Sequence, residues 1–208
     1  TQFDATKTYS NAAYDILGYL VQKISGKQYE DYIRENIFLK ANMTYSSFDY
    51  RKIPAERRSF PHILKGKKVK VGGMWTENTE HSPSGNLNSC SRDLCYWMLN
   101  ILNINNKPNS FNGILKDSTL NNMWTGRYIA PQNKRVSIGL GWFIKDSEDL
   151  GKYYWHVGDN PGFSATLMVL PEHNFGITVL SNEMYAEQIV WNKIPFDIIN
   201  LFKDEWNK

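Results

Sequence analysis

The chain has 208 residues, a length that fits a single domain with one hydrophobic core. Its hydrophobic fraction of 41% and aromatic fraction of 14% are ordinary for a globular protein and exclude an intrinsically disordered one. The net charge of +3 comes from interspersed basic and acidic residues, which does not indicate nucleic-acid binding, because that function needs a clustered basic surface. The densest basic run, residues 65–70, is interpreted as a solvated loop or the exposed edge of a hairpin around Gly66.

Cysteine usage and hydropathy say little about location. Cys90 and Cys95 stand five positions apart in a segment with helical periodicity, so their side chains point in different directions and no disulfide is predicted. No apolar run reaches the roughly 18 residues of a membrane span. The first eight residues lack the features of a signal peptide, and any export signal is expected upstream of this chain.

The first half of the chain is predicted to be mainly helical and irregular. A first helix follows Tyr9-Ser10-Asn11 and stops at Gly26, on the evidence of apolar residues at helical spacing: Ile16, Leu17, Leu20, Val21 and Ile24. A shorter second helix is predicted around residues 29–37. Residues 45–84 have no sustained period and are interpreted as irregular structure with a short hairpin.

The second half is predicted to form an antiparallel sheet. A helix over residues 91–102, with Ser89 as its cap, and an Asn-rich loop precede it. Short β-branched and aromatic segments separated by turn residues predict four strands, at 136–144, 153–157, 163–170 and 175–180. Residues 167–170 are apolar on both faces, so this strand is expected to be covered on each side. Residues 189–202 are the candidate covering helix, which Pro195 should begin or kink.

Two short strings contain residues suited to catalysis. Tyr9-Ser10-Asn11 stands at the head of the first helix, and His156-Val157-Gly158 stands at the end of a strand. Taken alone, each has an ordinary structural interpretation: an aromatic residue beside an Asn that caps a helix, and a histidine satisfied at a strand end.

The surrounding segments, however, resemble the serine β-lactamase and DD-peptidase superfamily, specifically its class C β-lactamase-like branch. The most specific block extends from His156-Val157-Gly158 through Pro161-Gly162-Phe163 to Leu180-Ser181-Asn182. Gly139-Leu140-Gly141-Trp142 precedes it. Together these strings are similar to the family's C-terminal sheet signature.

Earlier segments carry the same resemblance in the same order. Tyr9-Ser10-Asn11 and Ile24-Ser25-Gly26-Lys27 look like the family's Tyr-x-Asn helix and its closing turn. Residues 38–43 are similar to its Phe-x-Pro-Leu-Gly-Met segment, with Lys40 and Asn42 replacing Pro and Gly depending on register. Pro83-Ser84-Gly85-Asn86-Leu87 is similar to Pro-Ala-Gly-Gly-Leu.

The resemblance implies an α+β fold of the β-lactamase/transpeptidase type, with an antiparallel sheet flanked by helices and the N-terminal part of the fold missing. Residues 1–208 would then be a single partial domain, helical and irregular over 1–130 and formed by the sheet and a C-terminal helix over 131–208. The family's attacking serine and its lysine lie in a Ser-x-x-Lys motif. No serine of this chain has a lysine at the third following position, so the motif is expected upstream of Thr1.

The resemblance also implies roles for six residues. Tyr9 would transfer protons together with the lysine, and His156, where many relatives have a lysine, would donate to a substrate carboxylate or to Tyr9. The backbone N–H of Asp159 would be one oxyanion donor, although its carboxylate argues against anionic substrates. The residues assigned to substrate binding are Asn11, Gly158 and Asn160.

The implied function is that of a serine hydrolase of the β-lactamase, D-Ala-D-Ala carboxypeptidase or esterase type, working outside the cytoplasm. Its partners would be an acyl substrate, namely a D-amino-acid peptide, a β-lactam or an ester, and the missing N-terminal segment of the same protein. No cofactor is needed, and the four histidines lack metal-ligand spacing. Two alternatives stay open: a non-catalytic module that binds peptidoglycan or a partner protein, and a fragment with an incomplete core.

Overall fold

The computed structural model describes residues 9–66, 68–74, 80–102, 114–130, 133–183 and 186–206. Its helices are α1 (Asn11–Ser25), α2 (Tyr29–Ile33), α3 (Ser91–Leu102), α4 (Asp117–Met123) and α5 (Ile194–Trp206). Its strands are β1 (His62–Lys65), β2 (Lys68–Val71), β3 (Tyr128–Ala130), β4 (Asn133–Ile138), β5 (Phe143–Ser147), β6 (Gly151–Asn160), β7 (Phe163–Leu170) and β8 (Phe175–Ser181). No helix within the described residues is long and apolar enough to cross a membrane.

Helix α1 begins and ends where the sequence predicts. Ser10 is its N-cap, and the Ser10 hydroxyl accepts a hydrogen bond from the Ala13 N–H at 3.2 Å. Gly26 ends the helix in the left-handed region at φ 69°, where glycine has no Cβ penalty, and its N–H donates to the Gln22 carbonyl.

The apolar stripe of α1 faces outward. We define this α1 apolar stripe by four exposed residues: Ile16, Leu17, Leu20 and Ile24. The helix instead turns the buried Gly18 toward Pro83, so closely that a Cβ at position 18 would lie 2.1 Å from Pro83 Cγ. An amphipathic helix normally buries such a stripe, so this surface is uncovered within the described residues.

The six strands β3 to β8 form one antiparallel sheet in which every strand lies beside its neighbours in sequence. Residues 136–144, predicted as one strand, belong to two strands, β4 and β5, because Gly141 at φ 78° allows the chain to turn back between them. The sheet begins at Tyr128, ahead of the predicted boundary at 131. The predicted short hairpin in the first half is also present, as β1 and β2.

Strand β7 lies at the centre of the core, and the prediction that it is covered on both faces is confirmed. Val169, fully buried, belongs to a cluster with Met98 and Ile101 of α3. Met168 and Leu170 belong to a second cluster with Ile199 of α5. The alternation of side chains along the strand sends these residues into two separate layers of helices.

Pro195 is the second residue of α5, but the π-helical turn Gln188–Lys193 runs into α5 without a break, so Pro195 does not stand at the free start of a helix. It stands where the hydrogen-bond pattern changes from π-helical to α-helical, an irregularity at which a helix can accommodate a proline. Helix α3 spans the predicted residues. The hydroxyl of Ser89, its predicted cap, lies within hydrogen-bond distance of Ser46 Oγ, at 2.8 Å, and its capping role stays a prediction.

Because Pro83 occupies the space beside Gly18, a side chain at that position should force α1 and Pro83 apart. We expect Gly18→Val to lower the free energy of unfolding by about 1–3 kcal/mol, as overpacking does elsewhere. Urea denaturation provides the measurement. The matched control is Gly73→Val, since a Cβ there meets no atom within 4 Å. Equal effects of the two substitutions would contradict the close packing of α1 against Pro83.

Candidate active site

Tyr9 and His156 lie side by side although they come from distant parts of the chain. Tyr9 stands just before α1, and His156 lies in the second half of β6. Their ring centroids are 6.2 Å apart, with the ring planes inclined at 46°. The head of the first helix and the end of a central strand therefore meet at one place.

This place borders an open strand edge. Strand β5 pairs with β6 only as far as Phe143 opposite Trp155, whereas β7 continues to pair with β6 as far as Asn160 opposite Phe163. Over residues 156–160, the side of β6 that faces away from β7 has no strand partner among the described residues. Such an edge offers backbone N–H and C=O groups to an extended ligand.

His156 has two aromatic neighbours and is neutral at neutral pH. Its imidazole stacks on Phe143, with centroids 5.6 Å apart, and has Tyr9 as its other ring neighbour. Burial lowers the pKa of His156 below 6.5, and a backbone hydrogen bond at Val157 offsets this only in part. A neutral imidazole has one donor and one acceptor nitrogen, so His156 can donate a hydrogen bond without carrying charge.

Tyr9 is a neutral phenol in this environment. Burial raises the pKa of Tyr9 above 10, and the nearby Tyr14, whose ring centroid is 6.0 Å away, raises it further. Neither cause involves a cation. To act as a base, Tyr9 would need a positive neighbour or hydrogen-bond donors at its oxygen, since these favour its anionic form.

Asn11 is not required as a helix cap. Ser10 performs that role, so the interpretation of the Asn of this string as the helix cap is wrong. Asn11 is the first residue of α1 and is exposed beside Tyr9. Its amide has both a donor and an acceptor to offer to a ligand.

Gly158 leaves space that the protein does not use. A Cβ at this position would meet no atom within 4 Å, and its backbone is not among the positive-φ positions. Neither packing nor backbone conformation therefore requires glycine here. The absence of a side chain keeps the surface of β6 open beside His156.

Asp159 and Asn160 make contacts that hold the end of β6 in place. The carboxylate of Asp159 accepts a hydrogen bond at 2.6 Å from the hydroxyl of the buried Ser164 on β7. Because side chains alternate along a strand, Asp159 and His156 project from opposite faces of β6. The Nδ2 of Asn160 donates to the Gly85 carbonyl at 2.9 Å. Their catalytic and substrate-binding roles stay predictions.

Residues 81–86, the bracing loop, connect the two halves of the site. His81 Nδ1 lies 3.1 Å from the carboxylate of Asp15, one turn beyond Asn11 on α1. Pro83 packs against Gly18 of the same helix, and Gly85 accepts the bond from Asn160. The loop thus contacts both α1 and β6, and the helix head and the strand end are positioned relative to each other through it.

Sequence reasoning missed three features of this site. Phe143 was assigned only to a strand, and its contact with His156 depends on the β5–β6 register. Tyr14 is not predicted as a neighbour, because it stands five residues after Tyr9, which itself precedes α1, and helical neighbours are three or four residues apart. The contact of His81 with Asp15 has no signal in the sequence, because the two residues are 66 positions apart.

A family model described as Beta-lactamase matches residues 2–194. The chain is 27% identical to Protein flp of Staphylococcus aureus (strain N315), over 96% of the chain and 40% of that protein. It is 25% identical to Penicillin-binding protein 4* of Bacillus subtilis (strain 168), over 84% of the chain and 39% of that protein.

The class C beta lactamase from Rhodobacter sphaeroides has a similar structure, with a TM-score of 0.75 and 15% identity over 94% of this chain and 60% of that one. The predicted β-lactamase/transpeptidase-like fold and family are confirmed by these matches. The chain spans about 40% of the length of the two curated relatives.

The burial of His156 predicts how the stability of the protein depends on pH. Because burial lowers the pKa of His156 in the folded state, the unfolded chain binds a proton more readily. The contribution of neutral His156 to the stability of the folded state is therefore complete above a pH of about 6.5, the pKa of an exposed histidine. It is lost as the pH falls through the lower pKa of the folded state. We expect an NMR titration to give a His156 pKa below 6.5.

We also expect the free energy of unfolding to fall less steeply between pH 7 and pH 5 in His156→Gln than in the unsubstituted protein. Urea denaturation across this range provides the comparison. A His156 pKa at or above that of an exposed histidine would show that the imidazole is solvated and that the ring stack is absent.

Proposed function

Because the chain belongs to the beta-lactamase family, we propose that it is part of a serine hydrolase that acts on an amide or ester through an acyl-serine intermediate. The observation that supports this most is the position of Tyr9 and His156 beside the open edge of β6. A proton-transferring phenol, a neutral donor and an open strand edge are the groups that acyl transfer needs around a serine.

We propose that the serine and its lysine lie in a segment preceding this chain, which packs against α1. Two observations support this: the α1 apolar stripe is exposed, and the chain spans about 40% of the curated relatives' length. Burying the stripe would remove four large side chains from water, each worth about 1.5–3 kcal/mol when fully buried. The lysine would also supply the cation that Tyr9 lacks.

The proposed reaction has two steps. The serine Oγ attacks the substrate carbonyl carbon and its proton passes through the lysine and Tyr9 to the leaving group, which departs as the acyl-serine ester forms. Water then attacks the ester carbonyl, and its proton returns to the serine Oγ as the acid is released. The backbone N–H groups of Asp159 and of the serine would stabilise the oxyanion in both steps.

The remaining residues would position the substrate. Asn11 would bind the substrate amide, the imidazole of His156 would donate to a substrate carboxylate or to Tyr9, and Gly158 would let the substrate lie along β6. Asn160, held by Gly85, would keep that edge in place. The proposed substrates are a D-amino-acid peptide, a β-lactam or a small ester, encountered outside the cytoplasm.

A non-catalytic module that binds peptidoglycan or a partner protein is the second candidate. The open β6 edge favours it as well, because an extended ligand can pair with such an edge without any covalent step. The two candidates differ in covalent labelling: a serine hydrolase retains a fluorescent penicillin or an activated ester as an acyl-serine, whereas a binding module does not.

We expect the full-length protein to be labelled by a fluorescent penicillin or by an activated ester at a serine of a Ser-x-x-Lys motif outside this chain. Gel fluorescence measures the label, and mass spectrometry of the labelled peptide locates it. A full-length protein that neither carries this motif nor takes up either label would support the binding module.

Two substitutions test the roles assigned within the chain. Tyr9→Phe removes the proton-transferring hydroxyl and should slow acylation by roughly 100- to 10,000-fold, the usual contribution of a general acid or base. Gly158→Val places a side chain where the substrate would lie and should slow acylation by roughly 100-fold through misplacement.

The matched controls are Tyr19→Phe, at an exposed tyrosine of α1, and Gly73→Val. Both should retain the acylation rate. The rate is measured by stopped-flow fluorescence of the full-length protein, with urea denaturation to show that each variant is folded. Equal rates in the site variants and the controls would remove Tyr9 and Gly158 from the mechanism.

A further inference from the structure

A two-stranded arm, formed by β1 and β2, stands apart from the main sheet. Its strands pair antiparallel over His62–Lys65 and Lys68–Val71, and Gly66 at φ 65° lies at the tip. Neither strand joins the six-stranded sheet. An isolated pair of strands is marginally stable in water, so its persistence depends on its attachments and on what it contacts.

The strand register gives the arm two different faces. Leu64 lies opposite Val69, and His62 lies opposite Val71, so these four residues share one face. Leu64, Val69 and Val71 are 55%, 58% and 63% exposed, which leaves this apolar face uncovered within the described residues. The other face carries the lysines, with Lys65 opposite Lys68 and Lys70 opposite Ile63.

All the charged residues of the arm are positive. The sequence has lysines at positions 65, 67, 68 and 70 and no acidic residue between positions 60 and 76. Lys67 lies outside the described residues. Lys65, Lys68 and Lys70 form no ion pair with any carboxylate of the described residues.

The base of the arm is fixed to the end of the main sheet. The His62 N–H donates to the Asn182 carbonyl at 2.8 Å, and Asn182 Nδ2 donates to the Phe60 carbonyl at 3.0 Å. Pro61 packs against Gly162 so closely that a Cβ at Gly162 would lie 2.2 Å from Pro61 Cβ. Gly162 follows Asn160 in the β6–β7 turn, so the arm extends from the sheet end that carries the open β6 edge.

We propose that this arm binds the surface of a lipid membrane that contains anionic headgroups. The apolar face would enter the boundary between headgroups and acyl chains, and the lysines would extend toward the headgroup phosphates, as lysines do at such interfaces. A polyanion would satisfy the lysines alone and leave Leu64, Val69 and Val71 in water, which is why the two faces together favour a membrane. The arm would then hold the β6 edge next to that surface.

The test measures partitioning of the full-length protein onto vesicles by flotation. One set of vesicles contains phosphatidylcholine alone, and the other contains phosphatidylcholine with about 30% phosphatidylglycerol, which makes its surface anionic. We expect preference for the anionic vesicles, with the triple substitution Lys65→Gln, Lys68→Gln and Lys70→Gln weakening partitioning at least about tenfold, since each lysine contributes to attraction at an anionic surface. The triple substitution Leu64→Asn, Val69→Thr and Val71→Thr should weaken it as well.

The matched control removes the same charge elsewhere, by Lys40→Gln, Lys116→Gln and Lys134→Gln, all at exposed positions, and should change partitioning less than about twofold. An equal loss in this control would attribute binding to net charge and overturn the proposal. Loss with the lysine substitutions but not with the apolar ones, together with displacement by soluble polyphosphate, would show that the arm is a polyanion site instead.

A second measurement keeps the test decisive if another part of the full-length protein also binds membranes. An environment-sensitive NBD label at Val69→Cys, in a Cys90→Ser and Cys95→Ser background, should shift its emission to the blue on anionic vesicles. An unchanged spectrum on vesicles that carry the protein would show that the arm stays in water. Neither measurement depends on hydrolase activity, so the proposal stands or falls separately from the proposed function.

Discussion

The candidate site depends on the contact of the bracing loop with both α1 and β6. Pro83 packs against a helix position that only glycine can occupy at that distance, and the carbonyl of Gly85 binds the side chain of Asn160 at the end of β6. The pair of His81 and Asp15 adds a polar contact one turn from the helix head. These contacts fix the position of the helix head relative to the end of β6.

The electrostatics of the site agree with this arrangement. Both Tyr9 and His156 are neutral at neutral pH: a phenol is protonated there in any case and burial raises its pKa further, while burial lowers the pKa of the imidazole. The described residues therefore present hydrogen-bond donors and acceptors beside an open strand edge without a net charge on either ring. The charge that acyl transfer requires would come from the same segment that would cover the α1 apolar stripe.

Local patterns in the sequence predicted the elements that local forces determine. The apolar periodicity and the closing Gly26 predicted α1, although its cap is Ser10 and not Asn11, and the doubly apolar run in β7 predicted helices on both faces of the sheet. The outward direction of the α1 stripe was not predictable, because periodicity identifies an apolar face without saying what covers it. The contacts of His81 with Asp15 and of Asn160 with Gly85 join residues distant in sequence, and no local pattern reveals them.

The convergence of Tyr9 and His156 is the central claim, and a nuclear Overhauser measurement between their rings in the full-length protein tests it most directly. With tyrosine and histidine rings selectively labelled, the structure predicts a cross-peak between Tyr9 and His156, since their centroids are 6.2 Å apart, and a second between His156 and Phe143 once that ring is labelled. A His156 that contacts Phe143 but shows no cross-peak to Tyr9 would place the helix head away from β6 and contradict the account.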